Sequence, residues 1–283
     1  MQSEHIVIDG KELANRLQDE LKSKISKSGI APVLAVVMVG NNEASSIYVR
    51  NKEKAAQKVG IDCKILHFSE NISQEELCLH VAKLNNDESI NGIIIQQPLP
   101  AHLNIFELLC LISPQKDVDG FSPINLGLLT VNSPSAMLSA TPRGVMALLK
   151  ETRVDLEGKN ALVIGRSNIV GKPMAQMLLN ANCTVTIAHS KTKNLSELVS
   201  RADIVVVACG VPKMLKAEWV KEGAIIIDVG INRVDGKLCG DVDFEKVKMK
   251  ASFITPVPGG VGPLTVTMLL QNTYEAWCNQ YNS

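Results

Sequence analysis

Short runs of consecutive apolar residues alternate along the chain with stretches whose apolar positions recur every third or fourth residue. Continuous runs bounded by turn residues predict strands buried on both faces, and the wider spacing predicts helices packed on them. In the first half, Pro32–Val39, Ile61–Phe68 and Gly92–Ile95 predict strands. Helices are predicted from about Glu43 to Val59, from Ser73 to about Leu84, and over Asn104–Ile112. Ser73-Gln-Glu-Glu76 reads as a capping box, in which serine and glutamate satisfy each other's free amides. In the second half, strands are predicted at Asn160–Ile164, Thr184–Ala188, Ile204–Ala208 and Ala224–Asp228. Thr141-Pro142 predicts a helix start with threonine as N-cap and proline at the first position. Further helices are predicted near Val170–Leu179, from Asn194 with Glu197 three residues on, and over Leu264–Tyr281, a long amphipathic stretch. Strands alternating with helices predict an α/β fold with parallel sheets. The stretch Gly120–Thr141, with Pro123 and Pro134, reads as loop and marks the expected domain boundary.

Composition narrows the function classes. The chain has 283 residues, which at about 150 per domain suggests two domains. Lys plus Arg and Asp plus Glu are both 29, so the net charge is zero, and aromatics are 4%. A general nucleic-acid binder needs a basic field and stacking platforms, so none is expected. One local basic cluster for an anionic small molecule remains compatible with this balance. The N-terminus lacks a positive segment followed by a long apolar one, and the longest apolar run, Ala31–Val39, is short of the ~20 residues of a membrane span. No membrane association is expected. Seven scattered cysteines without a CxxC suit thiols in a reducing, cytoplasmic setting. The five histidines form no ligand-spaced cluster, so no metal is expected.

The second half carries a nucleotide-type motif. Strand Ala161–Ile164 runs into Gly165-Arg-Ser-Asn-Ile-Val-Gly171-Lys-Pro173. Glycines at a strand-to-helix junction let backbone amides and the helix dipole meet a phosphate. The motif is not a strict GxGxxG, because Ser167 holds the second position and the last glycine comes one residue late. Alone it also fits a tight turn with no ligand. Charge sharpens it: no Asp or Glu lies between Glu157 and Glu197, while Lys159, Arg166, Lys172, Lys191 and Lys193 do. An NAD site wants an acid on the ribose about 20 residues past the glycines. Here that position reads His189-Ser190-Lys191, so Arg166 and Ser190 suit a 2′-phosphate and the pattern favours NADP. Lys191, Lys193 and His189 equally fit a solvated loop. Downstream, Ile227-Asp-Val-Gly-Ile-Asn232 puts a glycine after a buried strand, where it could contact the nicotinamide half or simply end the strand.

The first half carries the acid–base candidates. Tyr48 and Lys52 are four apart on one predicted helix and so share a face, which Ala55 and Val59 continue. A lysine there either snorkels to water or is poised by partial desolvation for proton transfer. Gln96 ends a buried strand in Gly92-Ile-Ile-Ile-Gln-Gln-Pro-Leu-Pro100, which puts an amide at a sheet's carboxyl edge. In Lys116-Asp-Val-Asp-Gly120, Asp117 and Asp119 fit an Asx-type turn as well as a ligand site. Pro256-Val-Pro-Gly-Gly-Val-Gly-Pro-Leu-Thr265 brings three glycines in four residues just before the last helix. Such a loop suits close approach to a planar ligand or a tight turn.

Taken together these stretches, with Ala44–Lys52 and Thr141-Pro-Arg-Gly144, resemble the bifunctional methylenetetrahydrofolate dehydrogenase/methenyltetrahydrofolate cyclohydrolase family, in the family's order and over nearly the whole chain. One departure is Ser139-Ala140, where the family often shows Pro-Cys; it touches a turn. The resemblance implies two α/β domains with a cleft between them: residues 1–138 and 263–283 for folate and catalysis, and 139–262 as a Rossmann-like NADP-binding domain. It implies oxidation of 5,10-methylenetetrahydrofolate by NADP⁺, then hydrolysis of the methenyl cation to 10-formyltetrahydrofolate. Lys52 would serve the hydrolysis, Tyr48 would stack on or position the folate, Gln96 would hold Lys52, and Asp119 would bind the pterin edge. Gly259, Gly260, Gly262 and Pro263 would line the folate cleft. Gly165, Arg166, Ser167, Ser190 and Ile231 would hold NADP. A homodimer is usual in the family. Two competing readings, a Rossmann dehydrogenase of amino or hydroxy acids and a regulatory nucleotide binder with a dead site, give Tyr48, Lys52, Gln96 and Asp119 no joint role.

Overall fold

The computed structural model describes residues 6–281. In chain order it has β1 (Ile6–Val7), α1 (Gly10–Ser28), β2 (Val33–Val39), α2 (Glu43–Val59), β3 (Asp62–Phe68), α3 (Gln74–Asn86), β4 (Gly92–Ile95), α4 (Ile105–Leu111), α5 (Pro123–Thr130) and α6 (Ala140–Glu151). There follow β5 (Asn160–Ile164), α7 (Gly171–Asn180), β6 (Thr184–Ala188), α8 (Leu195–Arg201), β7 (Ile204–Val207), β8 (Ile225–Asp228), β9 (Asn232–Val234), β10 (Lys237–Cys239), α9 (Phe244–Val247), β11 (Phe253–Ile254) and α10 (Val261–Tyr281). The chain forms two compact units. One comprises the N-terminal residues to Asn15 with Thr141–Thr265, and the other comprises Arg16–Ala140 with the residues from Val266.

The second of these units is built on a three-stranded parallel sheet in the order β3-β2-β4. The central strand β2 is buried after its first residue, as a continuous apolar run demands. β3 is an edge strand and has no fully buried residue. Ser73 caps α3 through the Glu76 amide at 3.1 Å. The stretch read as loop contains α5: Ser122 is its N-cap and Pro123 its first residue. That proline starts a helix, where its missing amide costs nothing. Within this unit α10 is buried along much of its length rather than on one face. Its Asn272 Nδ2 donates to the carbonyls of Val118 (2.7 Å) and Leu138 (2.8 Å). The Ser139 hydroxyl donates to the Gly120 carbonyl at 2.9 Å, so the Lys116–Gly120 loop is pinned from two sides.

The other unit is a six-stranded parallel sheet in the order β1-β11-β8-β7-β5-β6. From β5 onward this is a doubly wound order whose direction reverses between β5 and β7, the place where such folds bind ligands. Strand β1 pairs with β11 and extends this sheet. Residues 6–15 therefore group with 141–265, whereas the resemblance implies a place with the first half; a two-residue strand leaves too short a pattern to assign. Helix α1 does not stand out in the sequence pattern, since its apolar stripe of Leu13, Ala14, Leu21 and Ile25 is sparse among charges. Thr141 does not cap α6: the helix starts one residue earlier, and the Thr141 hydroxyl pairs with that of Thr265 at 3.0 Å. Asn194 precedes α8 in a left-handed conformation without a side-chain cap.

Asn272→Leu removes two buried donors and leaves two carbonyls unpaired. It is expected to cost about 2–4 kcal/mol, measured by urea denaturation followed by circular dichroism; an unchanged midpoint contradicts the role given to this side chain.

Candidate active site

In the unit built on the three-stranded sheet, α2 presents Ser45, Val49, Ala56 and Val59 to the core, with Lys52 half-buried on the same row. Ala55, which the sequence reading put on this stripe, is only half-buried beside it. Lys52 Nζ donates to Gln96 Oε1 at 3.0 Å. Gln96 is buried just past the end of β4; its backbone amide donates to the Val37 carbonyl at 2.8 Å and its Nε2 donates to the Gln97 carbonyl at 2.6 Å. The amide is thus locked with its oxygen toward the lysine. Tyr48, one turn before Lys52, is 52% exposed, so its ring is free to meet a ligand rather than fill the core.

The two acids of the Lys116–Gly120 loop separate into different roles. Asp117 is buried and accepts from the amides of Phe121 (3.2 Å) and Ser122 (2.8 Å) and from Asn125 Nδ2 (2.9 Å). It is the turn-forming residue. Asp119 is only half-buried by its accessible surface, yet its carboxyl is enclosed enough that burial pushes it up to about 6; Lys52's charge pulls it down in part, and Asp117 adds to the rise. Lys116, to which the sequence pattern assigns no role, is buried and donates to the carbonyls of Leu84, Asn85 and Asp87 at 3.2, 2.8 and 2.8 Å. It seals the end of α3 and anchors the loop that carries Asp119. The arrangement is a fixed cation beside an aromatic ring, with a carboxyl whose charge is felt by that cation. It can move protons and hold N–H donors.

In the other unit the β5-to-α7 loop is shaped by two close approaches. Gly165 has φ 134°, and a β-carbon there would overlap the Ala208 carbonyl at the end of the neighbouring β7. A β-carbon on Gly171 would overlap the Gly165 carbonyl, so the helix starts directly against the strand end. The Ser167 hydroxyl accepts from the Val170 (3.1 Å) and Gly171 (3.2 Å) amides and holds the loop closed. Arg166 and Ser190 are exposed at the carboxyl ends of β5 and β6. His189 belongs to a turn: its amide donates to Thr192 Oγ1 at 2.8 Å, and its Nδ1 accepts from the Lys191 amide at 3.2 Å.

A pocket in the same unit brings Ile231 together with Gly259, Gly260, Gly262 and Pro263, beside Asp228–Gly230. Gly259 takes φ 101°, a conformation that favours glycine. Sequence reasoning missed a buried pair, Asp228, which lines this pocket, and Asp241, 2% and 0% exposed. Burial pushes Asp228 up to about 6 against three backbone amides that hold it down. The one available signal was an acid flanked by Gly240 after the β9–β10 hairpin. The predicted residues thus form two groups, Tyr48, Lys52, Gln96 and Asp119 in one unit, and the glycine loops with Ser190 and Ile231 in the other.

Comparison with known proteins follows this division. Residues 8–119 match the catalytic domain described as tetrahydrofolate dehydrogenase/cyclohydrolase, and residues 139–281 match the NAD(P)-binding domain of the same description. The chain is 53% identical over 276 residues to the bifunctional protein FolD of Streptococcus thermophilus, covering 96% of this chain and 97% of that one. The bifunctional FolD methylenetetrahydrofolate dehydrogenase/cyclohydrolase of Campylobacter jejuni superposes with a TM-score of 0.95 at 50% identity, over 97% of this chain and 99% of that one. A Trypanosoma brucei methylenetetrahydrofolate dehydrogenase-cyclohydrolase, solved with NADP and an inhibitor, gives 0.93 at 38% identity over 98% and 99%.

Asp119 is expected to titrate near pH 6, read by carboxyl-carbon NMR, and to move higher in Lys52→Met, since the lysine's charge favours the carboxylate. An Asp119 titration that Lys52→Met leaves in place contradicts the coupling.

Proposed function

The chain belongs to the tetrahydrofolate dehydrogenase/cyclohydrolase family, and from that premise we propose how its residues divide the work. It is a bifunctional methylenetetrahydrofolate dehydrogenase and methenyltetrahydrofolate cyclohydrolase with an NAD(P)-binding domain. The observation that carries the assignment of the hydrolytic centre is the 3.0 Å hydrogen bond from Lys52 to Gln96 at the carboxyl edge of β4.

In the hydrolysis, the oxygen of water bonds to the one-carbon centre of 5,10-methenyltetrahydrofolate. The bond from that carbon to N5 breaks as one of the water's protons passes to N5; the other proton leaves to solvent as the C–O bond becomes the formyl carbonyl, which removes the cation's charge. Lys52 carries the proton bound for N5 and polarises the one-carbon centre. Its position is set by Gln96, whose amide oxygen takes one N–H and leaves the others for water and substrate. Tyr48 offers an exposed ring on which the folate stacks. Asp119, as carboxylate, accepts from the N–H groups of the pterin edge. Gly259, Gly260 and Gly262, with Pro263 beside them, give the folate a surface on which few side chains stand in the way.

Hydride transfer needs positioning more than acid–base help, because the folate nitrogens stabilise the developing cation. The nicotinamide cofactor, when bound, supplies the hydride acceptor. The residues fit such a group: Gly165 and Gly171 let the start of α7 sit directly against the end of β5, where a phosphate would meet the helix N-terminus, and Ser167 holds their loop closed. Arg166 and Ser190 stand exposed where a 2′-phosphate would lie, in an interval without an acid between Glu157 and Glu197. We therefore assign NADP rather than NAD, with Ile231 against the nicotinamide half. The Trypanosoma brucei relative's NADP complex supports this choice.

Seven free cysteines support a cytoplasmic setting, and among the described residues no helix is long and apolar enough to cross a membrane. A homodimer is supported by the family resemblance and by β3, a sheet edge with Ile65 exposed.

Lys52→Met is expected to lower hydrolysis of methenyltetrahydrofolate by about 10³-fold or more while NADP⁺ binding and the circular dichroism spectrum persist. Retained hydrolysis in that variant removes the assignment. For the cofactor, steady-state kinetics should give a higher kcat/KM with NADP⁺ than with NAD⁺, and an equal or reversed preference would refute the assignment.

A further inference from the structure

Three loops at the carboxyl edge of the six-stranded sheet are tied to one another by two buried carboxylates that the reaction does not use. Asp241 Oδ2 accepts from the amides of Cys209 and Gly210, each at 2.8 Å, and its Oδ1 accepts from Asn232 Nδ2 at 2.8 Å. Asp228 Oδ1 accepts from the amides of Gly230 (2.9 Å) and Asp241 (3.0 Å), and its Oδ2 accepts from the Val242 amide at 2.9 Å. Each acid therefore holds the stretch of chain that carries, or follows, the other.

Two glycines mark how closely the pieces meet. A β-carbon on Gly230 would overlap the Asp241 carboxyl, and one on Gly240 would overlap the Asp228 carboxylate. A carboxylate this deep is tolerated only when donors take its lone pairs, so moving any one loop leaves an acid short of a partner. The positions of Cys209–Gly210, Gly230–Asn232 and Gly240–Val242 are consequently interdependent. Gly230 and Ile231 wall the pocket described above.

We propose that Asp241 is a positioning residue for the dehydrogenase: together with Asp228 it fixes the Gly230–Ile231 wall against the turn after β7, and so sets how tightly NADP⁺ is held. It touches neither substrate nor cofactor and acts through the backbone and Asn232. The proposal rests on the reading that Ile231 meets the cofactor, and the experiment separates the two.

The test measures the KM for NADP⁺ and, in parallel, hydrolysis of methenyltetrahydrofolate, which uses no nicotinamide cofactor. Asp241→Asn faces Asn232 with a donor in place of an acceptor. It is expected to raise the NADP⁺ KM about ten-fold and to change the hydrolysis rate by less than about two-fold. A merely structural role would lower both activities together. The double variant Asn232→Asp with Asp241→Asn reverses the polarity of the same hydrogen bond, and its NADP⁺ KM should return to within about three-fold of the wild type. An unchanged NADP⁺ KM in Asp241→Asn overturns the proposal, as does failure of the double variant to recover. If Asp241→Asn loses both activities, Asn232→Ala, which cuts one tie only, decides: a raised NADP⁺ KM with hydrolysis retained supports the proposal, and an unchanged one overturns it. Ile231→Asp tests the underlying reading, since an unaltered NADP⁺ KM there contradicts cofactor contact at this wall whatever Asp241 does.

Discussion

A lysine drawn partly out of water needs an acceptor that does not neutralise it, and Gln96 is that acceptor for Lys52. A carboxylate in its place would hold the lysine as a closed ion pair. The neutral amide fixes the nitrogen while leaving its remaining hydrogens available. Everything around the pair serves this geometry. β4 is a buried apolar run whose end delivers Gln96. The Gln97 carbonyl takes the amide's other end, so it cannot flip its nitrogen toward the lysine without losing a bond. Helix α2 is turned so that Lys52 falls on its core-facing row with only partial burial.

Two reactions on one folate ask different things of the protein. Hydrolysis asks for a group that moves a proton, the role proposed for the Lys52 centre. Hydride transfer asks for two planar systems held in register, and the glycine-rich turns of the other unit are suited to that. Their glycines sit where a β-carbon would collide with a backbone carbonyl or a carboxylate, as at 165, 171, 230 and 240. The buried Asp228 and Asp241 are the cost of such bare loops: turns with few side chains of their own are held by hydrogen bonds to these carboxylates.

Strands and most helices were legible because burial on two faces requires unbroken apolar runs, which stand out in β2, β5, β7 and β8. The short β1 and the sparse stripe of α1 carry too few apolar positions to be read. α5 is hard to read because Pro123 alone fits a breaker as well as a helix start, and only Ser122 before it marks the start. Of the candidate site, the shared face of Tyr48 and Lys52 is legible from their helical spacing and the place of Gln96 from its position at a strand end, whereas their joint role rests on the family resemblance. The different fates of Asp117 and Asp119 were not visible, since only the folded loop shows which carboxyl meets amides and which meets Lys52's field. Asp241 was invisible for a related reason: its three donors come from residues 209, 210 and 232, brought together only by the sheet.

If Gln96 acts through Lys52, removing it should matter only while the lysine is present. The most direct measurement is a double-mutant cycle on methenyltetrahydrofolate hydrolysis with Gln96→Leu, Lys52→Met and both together, at enzyme concentrations that resolve residual rates from the uncatalysed reaction. The account predicts a loss of about 10²-fold for Gln96→Leu alone and no further loss when it is added to Lys52→Met. Losses that multiply, each variant costing as much in the presence of the other, would contradict it.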